Sequence, residues 1–521
     1  MLSENRKDLQ VVQQVNWRTL YENHLEQSLK RMTDFVVAHG TTAVSPHLIS
    51  IVTLLEESSL FSSLMELRLQ LIHLVHPLPL RLGLSHRWES RMVEIINSPG
   101  FSRVQNSYLN DLTEFYLISG QISRALTTAD RVLKGQVTSS IEAANAARIQ
   151  FTAYRIRGEP EKADLVHQEC GTRYGLFASP GGSSVIDLQA WLKFHQSELE
   201  ILREKGKTEE ALLLASQMIT LNENQKSPQK TLNAELHVHR STLLWVKARY
   251  PEAIKDLQIA IGLYESEGDL FNSESLRSNL GLVYWTMGEL DKAEKNLVEA
   301  IRFYERCGAD QLMTYDIGNL GLVYFARGDL EMARTKTLEH IRHAEGIGFS
   351  TEAFRGHNNL GDILYYFGEF EQAIAEHEEI DKYFSKRGSR EGYGLGKVWV
   401  ACCRARLGEV DSAIIELRTI LDWCSLHNSR VLEALTHRAL AQWLPVDGRE
   451  LHLRKSLELA REQGRQLEEA AGLLMLAHVL NEHDQRDETW RSGVRILERI
   501  GATSWLKGAS VDYPPFIAMF V

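Results

Sequence analysis

The sequence predicts an all-α protein built as a solenoid of stacked helical hairpins, and three observations carry that prediction. Small residues recur at a fixed step of 40, at Ala253, Ala293, Ala333, Ala373 and Ala413. Turn residues keep the same step at Ala248, Gly288, Gly328, Gly368 and Gly408, and repeat ends follow at Gly268, Gly308, Gly348 and Gly388, with Asn428 next. Between these marks the apolar residues fall at helical spacing: Leu280, Val283, Tyr284 and Met287 form one stripe, and Leu290, Ala293, Leu297, Ala300 and Ile301 form a second. A helical pair of this size cannot bury its apolar stripe alone, so the units must stack.

The elements follow in order. Residues 1–104 read as an N-terminal helical capping region, because they are patterned as helices but lack the repeat marks and are broken by "HPLPLRLG" at 76–83. Residues 105–233 carry divergent hairpins, marked by Gly120 with Ala125, Gly158 with Ala163, and Gly206 with Ala211. Residues 234–428 form the regular array. In each unit the Gly, suited to a left-handed C-cap, ends the first helix, a short turn reverses the chain, and Ala at the crossing lets the two helices approach. Residues 429–500 hold further hairpins, punctuated by Gly448 and Gly464 and closed by a pair over Leu467 to Ile500, and 501–521 form a tail.

Composition narrows the function. The 521 residues are 44% hydrophobic and 24% charged with 11 Pro, which is enough apolar material for a large interior. A net charge of −11 offers no basic field for a phosphate backbone or an anionic leaflet, so neither nucleic acid nor a membrane is an expected partner. Five cysteines without a C-x-x-C pair read as reduced thiols. With no signal-peptide pattern and no run of about 18 apolar residues, the expected location is cytoplasmic.

The stretch "NLGLVYWTMGELDKAEKNLVEA", Asn279 to Ala300, resembles the tetratricopeptide repeat at Leu280, Gly281, Tyr284, Gly288, Ala293, Leu297 and Ala300. Clear resemblance covers about 235–428 and weaker resemblance about 105–500. The 40-residue spacing is similar to the extended repeats of kinesin light chains and Pins/LGN-type adaptors. It is also similar to the sensor arrays of bacterial signal-transduction ATPases and MalT-like regulators. The resemblance implies a right-handed α-solenoid whose first helices line a concave groove. The unit at 394–428 departs from the pattern, with Ala401 in place of Gly and Arg404 in place of the aromatic.

Catalysis finds no support. "GYGLGKV" at 392–398 lacks the first Gly and the Ser/Thr of a phosphate loop, and "SPGGSS" at 179–184 reads as an inter-repeat loop. No G-x-S-x-G or H-E-x-x-H occurs, and Cys402 and Cys403 read as core. No catalytic residue, cofactor or metal is therefore expected. His340, His357 and His377 occupy packing positions in adjacent hairpins. They could converge, but we expect three separate imidazoles without zinc.

The residues singled out for a role are an asparagine ladder. Asn279, Asn319 and Asn359 hold one position in three successive first helices, on the face that also carries Tyr315, Arg355 and Asp362. Carboxamides repeating there offer a donor and an acceptor to an extended backbone. Trp285, Phe325 and Tyr365 flank the stripe and are expected to pocket side chains. The expected function is a non-catalytic scaffold or adaptor that takes a protein or peptide segment in the groove. The alternative is the sensor or regulatory subunit of a bacterial signalling or defence system, recognising a peptide, protein or small ligand and controlling a separate effector.

Overall fold

The computed structural model describes residues 17–39, 43–44, 47–76, 85–96, 105–118, 121–135, 138–157, 159–178, 187–267, 269–307, 309–386, 395–427 and 429–510. Every regular element among them is a helix. The chain forms two compact units, residues 1–207 with 264–271 and residues 208–263 with 272–521. No helix among the described residues is long and apolar enough to cross a membrane.

The first unit contains α1 (Trp17–His39), α2 (Leu48–Ser58), α3 (Met65–Val75), α4 (Ser85–Ile96), α5 (Gln105–Ile118), α6 (Ile122–Leu133), α7 (Ser140–Ile156), α8 (Pro160–Arg173) and α9 (Leu188–Glu204). From α5 to α8 each helix packs on the next, and α9 returns to α7. Local sequence fixes the starts: Ser139 and Glu142 form a reciprocal capping box before α7, and Pro160 opens α8, where its missing N–H costs nothing.

The second unit runs through α10 (Thr208–Glu223), α11 (Lys230–Val246), α12 (Tyr250–Ser266), α13 (Leu270–Thr286), α14 (Leu290–Cys307), α15 (Asp310–Arg327), α16 (Leu330–Gly346) and α17 (Ser350–Phe367). It continues through α18 (Phe370–Lys386), α19 (Leu395–Arg406), α20 (Val410–His427), α21 (Arg430–Trp443), α22 (Val446–Glu462), α23 (Gln466–Val479), α24 (His483–Arg499) and a 3₁₀ turn, Thr503–Leu506. From α14 onward each helix packs on its successor, and first helices also touch one another, α15 on α17, α17 on α19 and α19 on α21.

The 40-residue marks have direct physical causes. Gly288, Gly328, Gly368 and Gly408 all have positive φ, and so does Ala248 at +55°, so each first helix ends in the left-handed cap that its turn requires. Inside the hairpins a Cβ on Gly281 would lie 2.9 Å from Leu297, and one on Gly361 would lie 2.6 Å from His377. The small residue is thus set by the bulky residue packing on it from the second helix. Ala253, Ala293, Ala333, Ala373 and Ala413 are all fully buried, as crossing points must be.

Gly464 ends a helix with φ +63°, but Gly448 lies inside α22 and does not punctuate the hairpin expected there. Gly120, Gly158, Gly268, Gly308, Gly388, Asn428 and the segments 77–83, 179–184, 392–394 and 511–521 lie outside the described residues.

The C-terminal end of the second unit departs from a simple linear stack. Helix α23 is apolar almost all round and Leu467 to Ala477 are nearly all buried, which is the signature of a helix enclosed on every side. One core cluster joins Trp285, Leu297 and Phe325 of the regular repeats with Leu474, Leu497, Ile500 and Trp505. Three hydrogen bonds run along this seam. Tyr250 Oη donates to the carbonyl of Gln463 at 2.8 Å, Gln466 Nε2 to that of Met287 at 2.7 Å, and Trp505 Nε1 to that of Ala326 at 3.1 Å.

Candidate binding face

The first helices α13, α15 and α17 present in-phase positions side by side, so the expected ladder residues are neighbours, but their surroundings differ. Asn279 is exposed, whereas Asn319 and Asn359 keep only 6% and 9% of their surface. A buried carboxamide must find partners inside the fold. Asn319 does so: its Nδ2 lies 3.5 Å from Asp316 Oδ1, and its Oδ1 accepts from Arg355 Nη2 at 3.1 Å. Asn359 lines a void of about 10 Å³ with Thr337 and Asp362, room for about one water between α15 and α17.

Around Asn319 a polar cluster crosses three hairpins. Ser278 on α13 donates to Asp316 on α15. Arg355 on α17 donates to Asn319 and to the Tyr315 carbonyl, 3.3 Å away, and its guanidinium sits 5.7 Å from the centre of the Tyr315 ring. Its Nε lies 3.0 Å from Glu352 Oε2, and the same oxygen lies 3.2 Å from His340 Nε2. Glycines make room for this packing: a Cβ on Gly318 would stand 2.7 Å from Arg355 Nη2 and 2.9 Å from the His340 ring.

Burial sets the charges. It pushes the Asp316 carboxyl up to about 7, against hydrogen bonds from Ser278 and Asn319 that favour the ionised form. Burial and the neighbouring Glu352 carboxylate raise the Tyr315 phenol, which keeps it a donor at neutral pH. The donors that remain are few and well placed. Tyr315 is 37% exposed and the Arg355 side chain 35%. Among the described residues neither the Tyr315 hydroxyl, nor Arg355 Nη1, nor the Asn279 carboxamide has a hydrogen-bond partner.

Six expected contact residues are corrected by their burial: Asn319 and Asn359, enclosed inside the fold, and four others. Trp285, Phe325 and Tyr365 keep 5%, 3% and 5% of their surface and belong to core clusters, so their rings hold helices together and open no pocket to solvent. Asp362 is likewise buried, with Oδ1 3.5 Å from His377 Nε2, and burial holds its carboxyl well above the usual range. Asp362 shares the ladder's helical face, whereas the three aromatics flank it, six residues past each ladder position, on the side that neighbouring helices cover.

The three histidines each meet a different carboxylate: His340 meets Glu352, His357 meets Glu376 at 2.7 Å, and His377 meets Asp362. Among the described residues no group of three or more His, Cys, Asp or Glu is placed to hold a metal ion. Cys170, Cys403 and Cys424 are buried and pushed up to about 12, and burial raises Cys402 further, which leaves all four as unreactive thiols.

Ser278, Asp316 and Glu352 were not singled out in the sequence. Ser278 and Asp316 stand 38 residues apart, and Glu352 and His340 stand 12 apart. Neither interval is the 40-residue step, so a search in phase passes over them.

Residues 275–306 match the tetratricopeptide repeat family model, and that hairpin is a tetratricopeptide repeat. No curated protein matches the chain in sequence. Among solved structures the chain is similar to a Rap protein complexed with competence and sporulation factor, with a TM-score of 0.52 at 12% identity over 70% of this chain and 99% of the other. It is also similar to the Rap conjugation gene regulator of plasmid pLS20 in complex with the Phr* peptide, with a TM-score of 0.46 at 12% identity over 75% and 94%. A signal-transduction ATPase with a tetratricopeptide repeat sensor from Pyrococcus horikoshii gives 0.41 at 15% identity over 72% and 55%. The first of these likenesses identifies the fold as an α-solenoid of tetratricopeptide-like hairpins.

Proposed function

We propose that this chain is a non-catalytic scaffold that binds an extended protein or peptide segment across the first helices α13, α15 and α17. The observation that carries the reading is the trio of unpartnered polar groups on successive helices: the Asn279 carboxamide, the Tyr315 hydroxyl and Arg355 Nη1. Repetition of a hairpin extends one surface, and a segment lying across it meets one such group per repeat. Asn279 offers a donor and an acceptor to a backbone amide. The Tyr315 hydroxyl can donate and accept, and Arg355 offers donors only, from a guanidinium already oriented by Glu352, Asn319 and the Tyr315 ring. A planar cation fixed in this way suits a carboxylate, so the segment carries an acidic side chain or its C-terminus opposite Arg355. The Rap structure of the same fold was solved in complex with competence and sporulation factor.

The test is selection of peptides from a random-sequence display library on the purified full chain. The reading expects enrichment of peptides with a Glu, an Asp or a free C-terminus at one fixed position, and loss of their binding to Arg355→Lys. Enrichment without an acidic position, or peptides that bind Arg355→Lys equally well, would refute it.

A second reading is that the chain is the sensor or regulatory subunit of a system with a separate effector. It is favoured by the C-terminal seam, which ties the last helices to the same repeats that carry the proposed binding face.

A further inference from the structure

The C-terminal pair α23–α24 and the 3₁₀ turn after it dock on the corners where first helices turn into second helices, and they do so in sequence order. Gly464 approaches the corner at Ala248 and Tyr250, Gln466 and Ile500 meet the corner at Met287 and Gly288, and Ser504 and Trp505 meet the corner at Ala326 and Gly328. The next two corners serve as an internal comparison. A Cβ on Gly288 would stand 2.6 Å from Ile500 and one on Gly328 would stand 3.0 Å from Trp505, but one on Gly368 or Gly408 would meet nothing within 4 Å. The Gly368 and Gly408 turns are thus uncovered, and beyond the third corner Trp505 reaches only Tyr366, at the end of α17.

We propose that this C-terminal hairpin is an intramolecular clasp that closes the second unit on itself and holds the binding face in register. The clasp occupies the aromatic stripe that an open array would expose. The Trp505 ring packs edge-on against Phe325 at 5.6 Å and Tyr366 at 5.1 Å, and α23 and α24 cover Trp285. The seam is not perfectly filled. A void of about 20 Å³ remains among Trp285, Gly288, Ala326, Gln466 and Ile500, and the buried Trp285 Nε1 on its wall has no hydrogen-bond partner. Its polar links run from single side chains to backbone carbonyls, so they can part without unwinding either helix.

Closure acts on the binding face through two rigid helices. The clasp fixes the C-terminal ends of α13 and α15 at Met287 and Ala326, and the polar cluster fixes their middles through Ser278, Asp316 and Asn319. Both sets of contacts select the same spacing between first helices, so each stabilises the other and the closed state is the one that binds. This coupling rests on the proposed peptide site; the clasp itself does not.

The experiment is hydrogen exchange by mass spectrometry on the full chain, comparing wild type with Trp505→Phe, which keeps the ring and loses the bond to Ala326, and with Gln466→Ala. The clasp predicts exchange at least tenfold faster around residues 286–290 and 326–330, with no change at the opposite turn around 346–350, which the clasp does not touch. Equal acceleration at all three turns, or none at any, overturns it. In the second arm a labelled acidic peptide selected on the wild type is titrated into each variant. At least tenfold weaker binding supports the coupling, and unchanged or tighter binding overturns it while the exchange result stands. If no acidic peptide is ever selected, the binding reading fails and the exchange arm still decides the clasp.

Discussion

Arg355 and Asn319 stand on neighbouring first helices, and the guanidinium Nη2 donates to the carboxamide oxygen at 3.1 Å. That contact divides the asparagine ladder by role, because Asn319 is occupied inside the fold while Asn279 is exposed. Asn319→Ala is expected to cost about 1 to 3 kcal/mol of stability, since it takes one buried partner from both Arg355 and Asp316. Asn279→Ala is expected to stay within about 0.5 kcal/mol of wild type. Urea unfolding of the two single variants checks this, and equal losses would contradict it.

Asp316 gives stability a defined pH dependence. Its carboxyl is raised from 3.8 to about 7 by burial, so between those values the folded protein holds a proton that the unfolded chain has released. Its contribution therefore falls as pH rises through that window and is flat above it. Asp316→Asn, which stays neutral, should gain on wild type by a few kcal/mol at most from about pH 4 to about pH 7. A difference that does not change with pH would count against the buried carboxyl.

His377 works in the opposite sense. Burial lowers it from 6.5 to about 3, so as pH falls through that interval the unfolded chain takes up a proton that the folded one refuses, and stability is lost. His377→Leu installs the residue found at the equivalent positions Leu297 and Leu417, and it should be less sensitive to acid than wild type. Metal analysis of purified, untagged protein should find no stoichiometric zinc in either. Zinc that disappears with His377→Leu would overturn the reading of three separate imidazoles.

Ala293 lies at a fully buried helix crossing within the core cluster that includes Leu474, Ile500 and Trp505. Ala293→Leu should cost about 1 to 3 kcal/mol by overpacking. In a linear repeat array the damage would stop at adjacent units. Here it should also raise hydrogen exchange across 466–506, and a response confined to 278–301 would contradict the closed architecture.

The repeat fold was legible because close packing writes itself into the sequence at a fixed step. The crossing alanines, the left-handed turn glycines and Gly281 or Gly361 beneath a bulky partner must each recur wherever a hairpin recurs. Burial was less legible. Trp285, Phe325 and Tyr365 flank the ladder's stripe, and only the clasp and the neighbouring helices decide that this side of the first helices is closed. The clasp joins residues 179 positions apart, Gln466 to Met287 and Trp505 to Ala326, and no periodic pattern records such a contact. The same limit hid Asp316, Glu352 and the support they give to Asn319 and Arg355.

The most direct test of the binding face is the affinity of one display-selected acidic peptide for Arg355→Lys and Asn279→Ala, measured by fluorescence anisotropy beside the unfolding midpoint of each variant. Arg355→Lys keeps the charge beside Glu352 but loses the planar edge that the carboxylate would meet. The account predicts that each variant binds about tenfold to a hundredfold more weakly, in line with about 1.4 to 3 kcal/mol for a lost charge-assisted or desolvated hydrogen bond, with Asn279→Ala unfolding as wild type does. Wild-type affinity in both variants would contradict it.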